Sequence, residues 1–414
     1  MIPGRRPLSP PARGIAGSAD SSNLFITCPR GLEPILSDEI RALGRPVNGV
    51  ADAGVWSSGG WDVVREFNLW LRTAHRVLWS AGRGVASSTD DLYAAALRVP
   101  WESQLGPDTP FQVRASLELP GMADERFCAL RVKDAVADRL RNRFGRRPDS
   151  RAAPESVPLF ARWSANGRVD FFFDTSGVPL SFRGYRTESG PAPLRESLAA
   201  GLVLWSEWDR SSTLIHPMCG RGALAIEAAW IAINRAPGLR RAFFSFERFC
   251  GHEADAWGAL RAQAEQREKS DGKQPLILAT DSDPAAVEAA RRNAHRAGVA
   301  ALVRHETCAF DATRIPEGSR WILINPPYGL RMGGAPEEVQ VLYGQLGAWL
   351  RTVGGPGRAV VISGNLRASR RMGLTSSRRT TMFNGPVECR VIEFPLYPPG
   401  SKPAPAKDSR AGPG

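Results

Sequence analysis

The sequence predicts an α/β protein in which a doubly wound domain follows two smaller α+β modules. Two observations carry this. From about Pro193 onward short apolar strands alternate with helices, the rhythm of a parallel sheet covered on both faces. Between Asn23 and about residue 180 strands and helices mix without that rhythm. Composition agrees: 43% of the 414 residues are hydrophobic and 23% charged, enough apolar material for more than one core.

In chain order, residues 1–22 carry Pro, Gly, Ser and three arginines (Arg5, Arg6, Arg13) without an apolar run, so they are expected to be a disordered leader and not a secretory signal. An organellar transit peptide stays open, since no acid precedes Asp20. Leu24 to Cys28 reads as a strand, and Gly31 to Leu43 repeats apolar residues at helical spacing (Leu32, Leu36, Ile40). Trp61 to Trp79 is helical in part, and Phe111 to Leu117 alternates as a strand does. Phe127 to Phe144 sets Leu130, Val132, Val136 and Leu140 on a basic helix, and Arg168 to Asp174 returns as a strand.

The second half begins with a strand at Thr213 to His216 and a helix from Ala223. Strands at Leu276 to Thr280, Trp321 to Asn325, Ala359 to Ser363 and Cys389 to Phe394, with a helix at Pro284 to Ala297, continue the pattern. The Pro-, Gly- and Ala-rich residues 398–414 are expected to be a disordered tail. The division is thus 23–87 and 88–180 for the two modules and 181–397 for the doubly wound domain.

Lys and Arg number 54 against 42 Asp and Glu, a formal net charge of +12, which points to a polyanionic partner. Lys133, Arg139, Arg143, Arg146 and Arg147 cluster on and after the basic helix, and are candidates for phosphate contacts or simply a solvated face. The six cysteines are scattered without a C-x-x-C pair and the histidines have no metal spacing, so no metal is expected and a reducing cytoplasm fits. No run approaches the roughly 18 apolar residues that span a bilayer, so no membrane partner is expected. The twelve tryptophans are expected in the cores.

Chemistry concentrates after the strands. Met218-Cys219-Gly220-Arg221-Gly222 links a strand to a helix, where glycines let backbone approach a ligand. Such a turn also occurs with no ligand at all. Asp281 ends the next strand, where a carboxylate can accept ribose hydroxyls, and Asp311 is read as ending another; either acid alone also suits a helix cap, as Asp283 before Pro284 does. Asn325-Pro326-Pro327-Tyr328 directly follows an apolar strand.

This last motif resembles the Asn-Pro-Pro-Tyr loop of S-adenosylmethionine-dependent amino methyltransferases. An exocyclic base nitrogen is a poor nucleophile because its lone pair is delocalised, so its N–H groups must be held while that lone pair faces the methyl carbon. The resemblance gives the Asn325 side-chain oxygen and the Pro326 carbonyl as acceptors and Tyr328 as a stacking ring, with Pro326 and Pro327 stiffening the loop. Ser181-Phe182-Arg183-Gly184-Tyr185-Arg186, the stretch Ala192-Pro193-Leu194-Arg195-Glu196-Ser197, Arg131-Val132-Lys133-Asp134, Phe25 to Glu33 and Asn384 to Cys389 extend the likeness to bacterial THUMP-domain guanine-N2 methyltransferases of 23S ribosomal RNA.

The resemblance therefore implies a ferredoxin-like module, a THUMP RNA-binding domain and a Rossmann-like methyltransferase domain. Met218, Cys219, Gly220 and Gly222 would surround the methionine part of S-adenosylmethionine, Asp281 its ribose and Asp311 its adenine, with Asn325 beside the methyl group. The expected partner is 23S ribosomal RNA or its precursor particle. Transfer RNA is the first alternative, and a non-catalytic RNA-binding assembly factor the second. Some relatives carry a second methyltransferase domain; with one here, a single methylation is expected. Three positions depart from the family pattern: His216 in place of an acid, Arg221 in place of a small hydroxyl residue, and Arg195 in place of lysine. A protonated His216 is expected to repel the cofactor's ammonium group.

Overall fold

The computed structural model describes residues 23–118, 124–151, 153, 155–186, 194–268, 276–318, 320–329, 336–353 and 356–397. The expected leader and tail, and Ala192-Pro193, lie outside them.

The first part contains β1 (Leu24–Thr27), α1 (Glu33–Ala42), β2 (Gly49–Ala51), β3 (Gly54–Ser57), α2 (Trp61–Trp70), β4 (Arg76–Val85), α3 (Thr89–Arg98), β5 (Phe111–Leu117), α4 (Glu125–Phe144), β6 (Val157–Trp163) and β7 (Arg168–Asp174). Its strands form a single seven-stranded sheet in the order β2-β3-β1-β4-β7-β6-β5. The expected boundary after residue 87 falls between β4 and α3, and the sheet runs across it, because β4 pairs with β1 on one side and β7 on the other. Ser88 caps α3 through a capping box with Asp91. Asp124 caps α4, and Gly145, left-handed at φ 76°, ends it. Cys128, Val132, Val136 and Leu140 bury the inner face of α4. Leu130, expected among them, is exposed, because two residues before Val132 is the far side of a 3.6-residue turn.

The second part contains α5 (Glu196–Trp205), β8 (Thr213–Pro217), α6 (Ala223–Ala232), α7 (Ala254–Gln266), β9 (Ile277–Asp281), α8 (Pro284–Arg296), β10 (Val303–Thr307), β11 (Arg320–Ile324), α9 (Pro336–Val353), β12 (Gly357–Ser363), α10 (Leu366–Arg370), β13 (Arg378–Asn384) and β14 (Val387–Leu396). The order β10-β9-β8-β11-β12-β14-β13 is parallel except for the last two strands. Asp283 accepts from the Ala285 N–H as the N-cap of α8. The stretch Asn384 to Cys389 holds the turn between β13 and β14 and the start of β14: Gly385 is left-handed and Pro386 has no N–H for a ladder, so the two strands pair on either side of them.

Among the contacts that fasten the parts together, two lie beside elements of the site. At one, Glu33 accepts from the Gly31 and Ala53 N–H groups, and the loop so held offers the Arg30 carbonyl to the Phe383 N–H of β13. Gly31 has φ 87°, and a Cβ there would collide with the Thr381 carbonyl. At the other, the Arg183 guanidinium, fully buried, bonds Glu227 of α6 at 3.3 Å and the Arg72 carbonyl of the first part. Tyr185 reaches the same Glu227 oxygen at 3.2 Å. Arg183 and Tyr185 thus build an interface.

Candidate active site

The sheet order places five strand ends along one edge, running from β10 through β9, β8 and β11 to β12. After β8 the chain winds outward through β9 and β10, then returns on the other side of β8 as β11, so the crevice between β8 and β11 is the topological switch point where ligands of such sheets bind. The candidate residues fall on both sides of it.

On the β8 side, the Gly220 N–H donates to Asp281 Oδ2 at 2.8 Å, and the Asp283 N–H to Oδ1 at 3.0 Å. The acid is thereby fixed at the end of β9 with lone pairs to spare. Met218, Gly220 and Gly222 are left-handed, at φ 55°, 51° and 81°. Gly222 sits against Ala290 of α8, where a Cβ would be 3.0 Å from the Ala290 methyl, whereas a Cβ on Gly220 would meet nothing within 4 Å among the described residues. Backbone therefore lines open space beside a held carboxylate. The Cys219 thiol is buried, and loss of hydration pushes its pKa up, so it is a packing group and not a thiolate.

His216 behaves differently from the expectation. Its side chain is buried, its Nδ1 donates to the Leu323 carbonyl of β11 at 2.7 Å, and desolvation pushes its pKa down to about 4. The imidazole is neutral at physiological pH and ties the two central strands together; it does not present a positive charge to the site. The strand β10 also ends earlier than expected, at Thr307, so Asp311 stands in a 3-10 turn, Phe310–Ala312, and is exposed. Phe310 packs edge-on against Trp349 of α9, with ring centroids 5.6 Å apart, and Thr313 meets Thr280 at 2.9 Å. Those contacts hold the turn beside β9.

On the β11 side, the Tyr328 hydroxyl donates to Asn325 Oδ1 at 2.8 Å, so the two side chains expected to hold a base first hold each other. The Tyr328 ring lies against Gly364, where a Cβ would be 2.8 Å from it, and its backbone carbonyl accepts from the Asn365 side chain at 3.1 Å. Burial pushes the Tyr328 pKa up, which keeps the hydroxyl a donor. Asn365, Thr280 and Thr313 have no recognisable motif; the only sequence signal for Asn365 is its place two residues after an apolar strand.

Lys133, Arg139, Arg143, Arg146 and Arg147 are not brought to this edge, since α4 packs on α3 and β5 of the first sheet. Four of the five are ion-paired: Lys133 and Arg147 with Asp134 at 3.2 Å each, Arg139 through two hydrogen bonds to Glu102, and Arg146 with Asp108.

Comparison with known proteins matches residues 183–393 to the UPF0020 family, described as an RMKL-like methyltransferase domain. This chain belongs to that family. Residues 23–78 match an RlmL ferredoxin-like domain and 86–151 a THUMP domain, so the RMKL-like methyltransferase part is preceded by both modules. "Ribosomal RNA large subunit methyltransferase K/L" of Syntrophotalea carbinolica is 38% identical over 90% of this chain and 53% of its own length. The protein of the same name from Methylococcus capsulatus is 34% identical over 91% and 51%. The chain spans about half the length of the curated relatives it matches. A solved putative methyltransferase complexed with SAH superposes with a TM-score of 0.83 at 26% identity, covering 92% of this chain and 99% of that one.

Proposed function

We propose that this chain transfers a methyl group from S-adenosylmethionine to the exocyclic N2 of a guanosine in 23S ribosomal RNA. The observation that carries the proposal is the Asn325–Tyr328 loop standing across the β8–β11 crevice from the Gly220–Asp281 pair, in a chain that matches RlmL ferredoxin-like, THUMP and RMKL-like methyltransferase domains. The donor set fits the cofactor: open backbone at Gly220 and a fixed carboxylate with free lone pairs at Asp281. Met218, Cys219, Gly220 and Gly222 would hold its methionine part, Asp281 its ribose and Asp311 its adenine. Bound there, S-adenosylmethionine supplies a methyl group already activated by its sulfonium.

The chain's own work is positioning. Asn325 Oδ1 exchanges the Tyr328 hydroxyl for a base N–H, and the Pro326 carbonyl takes the other. The freed Tyr328 ring stacks on the base, which is flipped out of its helix at a cost of about a few kcal/mol. The Asn365 bond to the Tyr328 carbonyl keeps the loop backbone still while that ring turns. The neutral state of His216 leaves the methionine end free of a repelling charge, which favours turnover over a degenerate assembly factor.

Incubation with tritiated S-adenosylmethionine and, separately, unmodified 23S ribosomal RNA and bulk tRNA, followed by nucleoside analysis, tests the proposal. Label in N2-methylguanosine from ribosomal RNA is the expected result. Label from tRNA alone transfers the reading to that substrate, and absence of label from both overturns it.

A further inference from the structure

The antiparallel end of the second sheet carries a charged surface outside the β8–β11 crevice. A cleft of about 390 Å³ opens between α10 and the β13–β14 hairpin. Arg370, Arg379 and Arg390 line it with Leu366, Ser369 and Ile392, and no lining residue is acidic. Among the described residues none of these three arginines has an ion-pair partner.

The opposite face of the same hairpin is built the other way. Side chains alternate along a strand, so Arg378 points away from Arg379. Arg378 bonds Glu207 at 2.6 Å and Glu393 at 3.1 Å, and Arg358 joins the same two acids. One face of the hairpin is thus neutralised pair by pair and the other keeps three uncompensated guanidinium groups around an open cleft. Like charges held together without counter-charge repel, so the arrangement is stabilised only when an external anion enters.

The cleft also adjoins the catalytic loop. The side chain of Asn365, which holds the Tyr328 carbonyl, belongs to the residue immediately before α10, and Val387 at the start of β14 packs against Gly364 beside the Tyr328 ring. At its far side β13 receives the Arg30 carbonyl from the first sheet. The hairpin therefore lies between the RNA-binding half of the chain and the loop that would hold the base.

We infer that this cleft is a phosphodiester-binding site in which Arg370, Arg379 and Arg390 grip the RNA backbone next to the target nucleotide. Guanidinium forks match phosphate oxygens, and such contacts position without reading sequence. The inference rests on the proposal that the substrate is RNA. The chain's own residues 398–414 do not suit the cleft as a counter-charge, since they hold Lys402, Lys407 and Arg410 against Asp408.

The test is fluorescence titration of a labelled single-stranded 23S ribosomal RNA fragment against the full chain across a salt series, with Arg370, Arg379 and Arg390 changed to Gln singly and together. Loss of three phosphate contacts should weaken binding at least about tenfold near physiological salt and make the log–log salt slope shallower by about two. The three side chains are at the surface, and an unchanged melting temperature in each variant separates lost contact from lost fold. A triple variant that binds with unaltered affinity and slope overturns the inference. Because the readout is binding, a wild-type chain that binds RNA but does not methylate it defeats the proposed reaction and leaves the cleft to be judged on its own; tight binding of an acidic peptide, with none of RNA, defeats the cleft as a nucleic-acid site.

Discussion

Two arginine-rich surfaces of this protein look alike in sequence and differ in the fold. On and after α4, basic residues follow one another closely, yet Lys133, Arg139, Arg146 and Arg147 are all matched by Asp134, Glu102 and Asp108 brought in from the same helix and its neighbours. Around the α10 and β13–β14 cleft the arginines are spread over some twenty positions of sequence, and the fold gathers three of them with no acid among the lining residues. Density of charge along a chain is therefore a poor guide to the field at a surface. The counter-ions decide it: the exposed pairs of Arg146 and Arg147 cost only about 0–1 kcal/mol to part, Arg139 is held to Glu102 by two part-buried bonds, and the cleft arginines have no acid to leave among the described residues.

The largest expected effect separates both surfaces from the chemistry. Asn325→Ala should lower methyl transfer by orders of magnitude while RNA affinity stays near wild type, since neither arginine surface includes the loop. Equal loss of both in a titration and a turnover assay would show that the Asn325–Tyr328 loop is itself a principal binding element.

Next is the joint that makes the two surfaces parts of one body. Gly31→Ala places a Cβ against the Thr381 carbonyl and forces an unfavourable φ, so it should cost about 2 kcal/mol or more in chemical denaturation and lower RNA affinity by loosening the hairpin from the first sheet. Unchanged stability would mean the Arg30–Phe383 contact is not maintained in solution.

A sharper test opposes the surfaces directly. Reversing Arg143, Arg146 and Arg147 to Glu should weaken RNA binding less than neutralising the cleft does, because two of the three are already paired; Asp108→Asn, by freeing Arg146, should tighten binding by no more than a few-fold. A larger loss from the helix than from the cleft, measured in the same salt series, reverses the ranking.

The last effect bears on stability alone and concerns the strand tie at the heart of the site. His216 is held near pKa 4 in the fold against about 6.5 when unfolded, so between those values the unfolded chain binds the extra proton. Stability is fully present above about pH 6.5 and falls as pH drops towards 4, with this group contributing up to about 1.4 kcal/mol per pH unit. His216→Asn keeps an N–H for the Leu323 carbonyl and should flatten the slope without abolishing it, because His75, also buried and pushed down to about 4, titrates in the same window. Denaturation midpoints at pH 5 and 7 measure it.

Much of the candidate site is legible in the sequence. The loop at Asn325–Tyr328 and the glycine turn at Gly220–Gly222 are local devices, needing only neighbouring residues with fixed φ or no Cβ, and Asp281 follows its strand directly. Asp311 reads as the end of a strand that the chain leaves four residues earlier, because β10 is short and at the sheet's edge. Asn365 carries no pattern at all; its role arises from β12 lying beside β11, a contact between segments far apart in sequence.

Strand and helix rhythm, the two anchoring loops and the excess of positive charge are properties of short windows and of totals, and the sequence by itself determined them. Three things were left to the tertiary structure: that the ferredoxin-like and THUMP strands join in one sheet through β4, that His216 is neutral, and which arginines keep their charge unanswered. Each depends on what a distant segment brings alongside. Hydration and pairing change with burial and with neighbours a few ångströms away, and neither can be summed along a chain.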